Sequence, residues 1–361
     1  MRFSSATFAI ALCIMSPTGH AFGEAAPVGK SLAVHGHFDA PSSDKSKKPR
    51  GISGMACLGK AGDRARECFA INDEEKFGEV VVLGEDGLAP TGRTVTLVVD
   101  EHNDDVLGTS AMAPCPKGSA KNGEFDGEGV AIARTAIYVS GSHSCSGNGK
   151  FKASSYLLAR FATAADGHIP TPPASIERTW RLSDALKASG VKDAFGAEKT
   201  VGTNIEGIAV LKDRLYAGLR TPVSSEIATI VSVPVEDLFA PGNAPLAPDK
   251  VKTIQVKLDP DTGIRDLAAV DENSLLILSG PTVDQGNVDY KLSLLASFRT
   301  DKVNKPSPLI TLPLESLAGV PGKAETVTIL GKIGPSLDIL ILYDNLDEGR
   351  PTEYNVSLPL P

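Results

Sequence analysis

Similar short phrases recur along this sequence, and most of them begin with an acidic residue. Acidic side chains are hard oxygen ligands. Each phrase is a short polar-small-hydrophobic-small run or a weaker copy of one, and the first residues are Ser53, Glu128, Glu206, Asp266 and Glu325. Asp73 is a further acidic candidate. Carboxylates at this density suit a divalent cation such as calcium. The sequence therefore predicts a calcium site built from Glu128, Glu206, Asp266, Glu325 and Asp73. The alternative is that these carboxylates are solvated or accept hydrogen bonds from backbone amides.

Two other side chains could take part in chemistry beside these carboxylates. Arg220 closes a β-type run, and its planar guanidinium could bind a carboxylate or a phosphate. The alternative for Arg220 is a salt bridge to Glu206 or Asp266. His143 closes another such run and could act as a base or as a ligand, whereas its alternative is a hydrogen bond to its neighbours. His143 and Arg220 are therefore the catalytic candidates.

Repetition of the phrase indicates which elements position these residues. The phrases recur about every 60–80 residues, and each interval contains about four strand signals, as one propeller blade does. The sequence thus predicts an all-β fold, a β-propeller of five four-stranded blades, or of six if residues 106–112 form a degenerate blade. The strand signal at 31–38 is placed to pair with the last blade and close the ring. The alternative is a β-sandwich in which the similarity is accidental.

Propeller topology would bring the candidate residues together. Because all strands of a blade are antiparallel, the start of each first strand and the end of each second strand lie at the same rim. The first strands also line the central channel of a propeller. We therefore expect the acidic residues to surround one mouth of that channel, with Arg220 and His143 beside them.

The N-terminal residues have the features of an export signal. Arg2 precedes a mostly apolar stretch, and small residues end it at Ala21. We predict a signal peptide at 1–21, a leader strand with an exposed linker at 22–50 and the propeller domain at 51–361. No later stretch is long and apolar enough to cross a bilayer. The predicted location is therefore periplasmic or secreted.

The charge of the chain limits its partners. The sequence has 36 basic and 44 acidic side chains, a formal net charge of −8. An acidic chain repels phosphate backbones and anionic membrane surfaces, so we expect no nucleic acid partner. The lack of a long apolar stretch also predicts no membrane insertion. A small molecule or another exported protein remains as a partner, and we expect a monomer.

Four cysteines follow the predicted signal, and an even number in an oxidising compartment suggests two disulfides. Four cysteines allow three pairings. The predicted strands favour Cys57–Cys68, which face each other across a short turn, and Cys115–Cys145, which lie at one rim of a single blade. A zinc site is less well supported, because the chain has no C-x-x-C pattern.

Several phrases resemble those of a known family. They are GISGMA at 51–56, CFAINDE at 68–74, GEGVA at 127–131, YVSGSHS at 138–144, NIEGIA at 204–209 and LYAGLR at 215–220. Together they resemble the bacterial family catalogued as domain of unknown function 3616, over roughly residues 50–345 and most clearly before residue 222. The resemblance implies a propeller-like fold and no particular reaction. The Glu-Gly-hydrophobic-Ala phrase is also similar to that of phytase-like esterase propellers, which implies hydrolysis.

Two classes of function fit these observations. The first is a binding or scaffold protein whose acidic channel mouth holds a small ligand or a cation. The second is a calcium-dependent hydrolase of phosphate or carboxylic esters, in which the metal would polarise the substrate and activate water. Arg220 would then stabilise the developing anion, and a carboxylate or His143 would act as the base. The chain has no H-E-x-x-H and no G-x-S-x-G motif, so we favour binding.

Overall fold

The computed structural model describes most of the chain. The described residues are 28–38, 51–60, 63, 65–98, 105–109, 115, 117, 124–146, 149–191, 202–283, 288–317 and 319–359. The predicted signal peptide at 1–21 and most of the predicted leader and linker lie outside the described residues.

Five small antiparallel sheets form the fold, which confirms the predicted all-β propeller of five blades. Two short strands come first, β1 (Lys30–Ser31) and β2 (Ala33–Val34). Blade 1 contains β3 (Ile52–Cys57), β4 (Arg66–Asn72), β5 (Phe77–Gly84) and β6 (Gly87–Thr96). Blade 2 follows the short β7 (Val106–Leu107) and contains β8 (Gly127–Ala133), β9 (Ala136–Gly141), β10 (Leu158–Ala162) and β11 (Glu177–Thr179). In each blade the first strand is innermost and the later strands follow outward.

The last three blades repeat this order. Blade 3 contains β12 (Asn204–Leu211), β13 (Arg214–Thr221), β14 (Ile227–Pro234) and β15 (Lys252–Lys257). Blade 4 contains β16 (Thr262–Asp271), β17 (Ser274–Pro281), β18 (Lys291–Ala296) and β19 (Ser307–Thr311). A hairpin of β20 (Ser316–Leu317) and β21 (Val320–Pro321) precedes blade 5, which contains β22 (Lys323–Ile333), β23 (Ser336–Asp344) and β24 (Thr352–Ser357).

Helices are short and lie between strands. The α-helices are α1 (Arg181–Ala188) and α2 (Val235–Leu238), and the 3-10 helices are Ala153–Tyr156, Pro248–Lys250 and Asp347–Gly349. Within the described ranges, no helix has both the length and the apolar character needed to cross a membrane.

The N-terminal strands close the ring of blades. β1 pairs antiparallel with β24 and becomes the fourth strand of blade 5. β2 pairs parallel with β6 on the outer edge of blade 1. Glu348 holds the same segment, because its carboxylate accepts a hydrogen bond from the Phe38 N–H at 3.0 Å and lies 2.7 Å from Nδ1 of His37. The predicted closing strand therefore exists, but its residues are divided between the last blade and the first.

The segment suspected of forming a sixth blade belongs to blade 2. Its described part includes β7, which pairs parallel with β11 at the outer edge of that blade. Residues 110–112 lie outside the described residues.

Two disulfides are present, in the pairing that the sequence favoured. Cys57–Cys68 joins directly opposed residues of β3 and β4. Cys115–Cys145 links the chain before β8 to the loop after β9. Each disulfide thus stays within a single blade, and each restricts the unfolded chain by closing a loop.

Every innermost strand carries one extra residue near its start. The pairing of each innermost strand with its neighbour skips one residue, and the skipped residues are Ser53, Glu128, Glu206, Arg265 and Glu325. Such a bulge bends the strand and redirects the side chain. We call these five residues the charged ring. In blade 4 the structure corrects the repeat alignment by one residue, because Arg265 and not Asp266 occupies the ring position.

The residue after the bulge is where neighbouring innermost strands come closest. A Cβ atom on Gly207 would lie 2.4 Å from Cα of Asp266, and one on Gly129 would lie 2.8 Å from the backbone nitrogen of Ile208. Only glycine fits such a contact. In the Glu-Gly phrase of blades 2 and 3, the bulge thus redirects the glutamate side chain, and the glycine allows the innermost strands of neighbouring blades to touch.

Candidate functional site

The charged ring is buried at one end of the central channel. Its side chains come from the five innermost strands, and 1–9% of the surface of each residue is exposed. The ring residues are therefore buried, whereas the sequence predicted that they surround an acidic channel mouth. Three carboxylates with larger exposed fractions lie around it, and we call Asp73, Asp126 and Asp344 the rim carboxylates.

Arg265 neutralises one half of the ring, and sequence reasoning missed it. One of its terminal nitrogens, Nη2, donates a hydrogen bond to Oε1 of Glu325, and the other, Nη1, lies 3.4 Å from Oε2 of Glu206. Burial alone would lower the pKa of Arg265, but the carboxylates of Glu206 and Glu325 outweigh burial and raise it. Arg265 is therefore a permanent positive charge between two carboxylates.

Glu206 is the most fully partnered carboxylate of the ring. Arg220 Nη1 lies 2.9 Å from its Oε1, and Asn204 Nδ2 donates to the same oxygen at 2.7 Å. The salt-bridge alternative for Arg220 is thus the one found. Glu206, Arg265 and Glu325 form a continuous chain of charges through blades 3, 4 and 5.

Glu128 has no such compensation. Its neighbours in the ring are Ser53 of blade 1 and Glu206 of blade 3, and within the described residues no hydrogen bond or ion pair reaches its carboxylate. Burial raises its pKa well above the usual range, and the negative charges of Glu206 and Asp126 raise it further. Glu128 is therefore a buried acid without an ion-pair partner in the described residues, although its charge contributes to the raised pKa of Arg265.

The rim carboxylates add further acidic groups on the same face. Burial raises the pKa of Asp73 to about 9, with further contributions from Glu325 and Asp344. Burial also raises the pKa of Glu325 to about 8, although Arg265 opposes the shift. Lys323 Nζ lies 3.3 Å from Oδ2 of Asp344 and compensates that carboxylate. Asp73 thus joins the predicted acidic cluster, while Asp344 is a member that the prediction did not include.

Asp266 has a different position from its predicted one. Its Oδ2 accepts a hydrogen bond from the Val327 N–H of blade 5 at 2.7 Å, and its Oδ1 accepts one from the Leu267 N–H at 2.7 Å. Burial raises its pKa, and these two backbone donors oppose the shift. Asp266 therefore joins blades 4 and 5 through backbone amides, which was the alternative left open by the sequence.

His143 is buried beside the ring without contacting it. Its Nδ1 lies 3.0 Å from the carbonyl oxygen of Gly141, and its ring lies 5.8 Å from that of Tyr156. Burial lowers the pKa of His143 to about 4, against the effect of the Gly141 hydrogen bond. Among the described residues, no hydrogen bond or ion pair connects His143 to a ring carboxylate.

Buried polar atoms without a partner are concentrated on this face. Within the described residues, the atoms that lack a hydrogen-bond partner here are Asp73 Oδ1, His143 Nε2, Asn204 Oδ1, Arg265 Nε and Thr326 Oγ1. Buried polar groups in folded proteins are nearly always hydrogen-bonded, and a local group of exceptions marks bound water or a ligand. In the described part of the chain, no three acidic, histidine or cysteine side chains converge closely enough to hold a metal ion.

The other end of the channel has a different character. A cavity of about 140 Å³ lies on the axis, lined by the innermost strands at 55–57, 130–132, 208–210, 267–269 and 327–329. Along β16 the residues change from buried at Leu267 to exposed at Ala269. The cavity therefore opens away from the charged ring.

Part of the chain matches a known family. Residues 191–358 match the family described as "Protein of unknown function (DUF3616)". The predicted family is thereby confirmed over blades 3 to 5, which contribute Glu206, Arg265 and Glu325. The match does not include blades 1 and 2, where several of the most similar phrases lie. No curated protein matches this sequence significantly.

The solved structures that align with this chain share little sequence with it. The tail fiber of Staphylococcus aureus phage P68 aligns with 92% of this chain at 11% identity and a TM-score of 0.37, and this chain spans 53% of that protein. The WD40 domain of Neurospora crassa Pan2 aligns with 92% of this chain and 96% of its own length, at 10% identity and a TM-score of 0.35. The WD40 propeller domain of Doa1 aligns with 87% of this chain and 95% of its own, at 8% identity and a TM-score of 0.33. The five-bladed fold rests on the strand pairing described above, and these similarities say nothing about function.

Proposed function

We propose that this propeller is a binding protein in which the charged ring and the rim carboxylates, together called the ring face, hold a small, positively charged ligand. The observation that supports this most is the state of Glu128, which is buried beside two other carboxylates and has no partner among the described residues. An unpaired buried carboxylate is costly, and a positive group placed beside it removes most of that cost.

The charge balance of the face favours a cation. Its carboxylates belong to Asp73, Asp126, Glu128, Glu206, Glu325 and Asp344, and its basic groups belong to Arg220, Arg265 and Lys323. The basic groups are all engaged in ion pairs with carboxylates. At neutral pH the raised pKa values of Asp73, Glu128 and Glu325 favour their protonated forms. A cation bound beside these groups favours the carboxylate form, so it takes the place of a proton, whereas an anion has no such effect.

The spacing of the acceptors favours an organic ammonium group. Calcium needs six to eight oxygen atoms at 2.3–2.6 Å, whereas an ammonium group needs two or three acceptors at about 2.7–3.2 Å. Asp73 Oδ1 is a buried acceptor without a partner in the described residues, and the Glu128 carboxylate forms no hydrogen bond or ion pair there. The negative charge of Asp73 also contributes to the raised pKa of Glu128. Calcium, predicted from the sequence, is the other cation to test.

The hydrolase hypothesis has no comparable support. His143 has no described contact with the ring, and Arg220 is paired with Glu206. A broad esterase and phosphatase assay, with and without calcium, tests this second function. We further propose that the protein acts in the periplasm or outside the cell, because its two disulfides are typical of oxidising compartments.

A thermal unfolding series tests the proposed function. Purified protein at low ionic strength is titrated with methylamine, ethanolamine, guanidinium at millimolar concentration, and calcium. A ligand that binds only the folded state raises the melting temperature, and the rise increases with the ratio of ligand concentration to dissociation constant. We expect an ammonium compound to raise it, and the double variant Glu128→Gln with Asp73→Asn to remove the effect.

Asp301→Asn is the matched control, because Asp301 is an exposed carboxylate paired with Arg299. This control should keep the full ligand response. If none of the cations raises the melting temperature of the unmodified protein, or if the double variant responds as strongly as the control, the proposed function is wrong.

A further inference from the structure

The ring face has a hydrogen-bond donor and an acceptor that no described protein atom satisfies. They are Nε of Arg265 and Oδ1 of Asn204, and both residues are 2% exposed. Both side chains contact the same carboxylate. Asn204 Nδ2 donates to Oε1 of Glu206, and Arg265 Nη1 lies beside Oε2. The free acceptor and the free donor therefore flank Glu206.

The orientation of the Asn204 amide is determined by its partner. A carboxylate oxygen only accepts hydrogen bonds, so the atom of Asn204 that faces Glu206 is the NH₂ group and the remaining atom is the carbonyl oxygen. Nε of Arg265 can only donate. The unsatisfied pair thus consists of one acceptor and one donor, next to a carboxylate that Arg220 and Arg265 already neutralise.

A hydroxyl group matches this pair, because it donates one hydrogen bond and accepts others. We propose that the ligand is a short amino alcohol, with its ammonium group at Glu128 and its hydroxyl group between Asn204 and Arg265. This inference rests on the proposed function and names the ligand class of the same site.

Adjacent strands place the two halves of this ligand close together. Glu128 and Glu206 occupy the same position of β8 and β12, and these strands are in contact directly after the ring, where Gly129 meets Ile208. The electrostatic effect of Glu206 on Glu128 is the largest of any charged group. Ethanolamine, with a linker of two carbon atoms, is therefore the first ligand to test.

Other small amines fit less well. A carboxylate in place of the hydroxyl would leave Asn204 Oδ1 unpaired, because it cannot donate, and would add negative charge to an acidic face. An alkyl group would leave both atoms unpaired, and each unpaired buried group weakens binding.

A matched pair of ligands tests the inference in the full-length exported protein. Ethanolamine and propylamine have the same number of heavy atoms and the same ammonium group, and they differ only in a hydroxyl against a methyl group. Calorimetric titration at low ionic strength should give ethanolamine a dissociation constant about tenfold lower than that of propylamine. Glycine should bind more weakly than either.

Variants separate the two recognition elements. Asn204→Ala should reduce the preference for ethanolamine to less than threefold while propylamine binding changes little. Thr326→Val keeps the shape of the side chain and should leave the ethanolamine preference in place. Glu128→Gln should weaken both ligands together. If Asn204→Ala fails to fold, the comparison of ligands in the unmodified protein still decides the question.

The outcomes distinguish the inference from the function on which it rests. Equal binding of ethanolamine and propylamine would mean that ordered water alone satisfies Asn204 and Arg265, and the inference would be wrong while the ammonium site stands. Failure of both amines to bind would overturn the inference and the proposed function together.

Discussion

The two halves of the charged ring use the same position of the repeat for different purposes. In blades 3 to 5 the carboxylates of Glu206 and Glu325 are joined by Arg265, and Arg220 adds a second positive charge. In blades 1 and 2 the ring contains Ser53 and Glu128, and no basic side chain contacts either of them in the described residues. An acid that is neutralised stabilises the protein, whereas an acid without a partner is available to a ligand.

This difference has consequences for stability. A paired buried charge is expensive to remove because its partner is left exposed to the low-dielectric interior. An unpaired buried carboxylate is already unfavourable, so its neutral amide is tolerated or stabilising. Substitutions in the two halves should therefore act in opposite directions.

The largest effect is expected at Arg265. Arg265→Met removes the charge that joins Glu206 and Glu325 and leaves two buried carboxylates side by side. We expect a loss of about 3–5 kcal/mol in the free energy of unfolding, measured by urea denaturation at neutral pH. Arg299→Met is the control, because Arg299 is exposed and its replacement should leave the stability nearly unchanged. A loss below about 1 kcal/mol at Arg265 would mean that the ion pairs contribute little.

A smaller loss is expected at Glu206. Glu206→Gln keeps an acceptor for Asn204 but removes the negative charge that faces Arg220 and Arg265. We expect a loss of about 1–3 kcal/mol in the free energy of unfolding. The same change at Glu128 should cause no loss. If both glutamine variants lose stability equally, the distinction between the two halves of the ring is wrong.

The raised pKa of Asp73 predicts that replacing this residue stabilises the protein at high pH. Its pKa is raised from 3.8 to about 9 in the folded protein, so the folded state keeps a proton that the unfolded state releases above about pH 4. The wild-type protein therefore loses stability as the pH rises from about 4 to 9. Asp73→Asn avoids this loss and should be more stable by roughly 0.5–2 kcal/mol at pH 8–9 in the absence of ligand.

Urea denaturation of wild-type protein and Asp73→Asn at several pH values measures this difference. The two proteins should have similar stability at or below pH 4, where the carboxyl group of Asp73 is protonated in both states. A difference that is largest at low pH would show that the sign is reversed and that Asp73 is stabilised as a carboxylate.

The sequence contains most of what determines the fold but only part of what determines the site. Strand signals and the repeated phrase correctly predict the five blades and the face on which Glu128, Glu206 and Glu325 meet. Arg265 was missed because blade 4 has Arg-Asp where blades 2 and 3 have Glu-Gly, and the bulge that aligns them appears only in the strand pairing. Aligning Leu267-Ala268-Ala269 with Ile208-Ala209-Val210 in the sequence would have revealed it.

The sequence does not reveal which of the candidate side chains are buried or which hydrogen bonds they form. A glutamate at the start of a strand can be solvated, paired or isolated, and the choice depends on side chains from neighbouring blades. Asp266 is bonded to Val327 and Glu128 is not bonded to anything described, although both were predicted as metal ligands. Their calcium-binding role stays a prediction.

The most direct test of the account compares Glu128→Gln with Glu206→Gln in one experiment. Melting temperatures of both variants and of the wild-type protein are recorded with and without a saturating ammonium ligand such as ethanolamine. Glu128→Gln should melt at or above the wild-type temperature without ligand and show no shift with it. Glu206→Gln should melt several degrees lower without ligand and keep most of the ligand-induced shift. A ligand response that survives in Glu128→Gln would contradict the assignment of the binding site to the unpaired half of the ring.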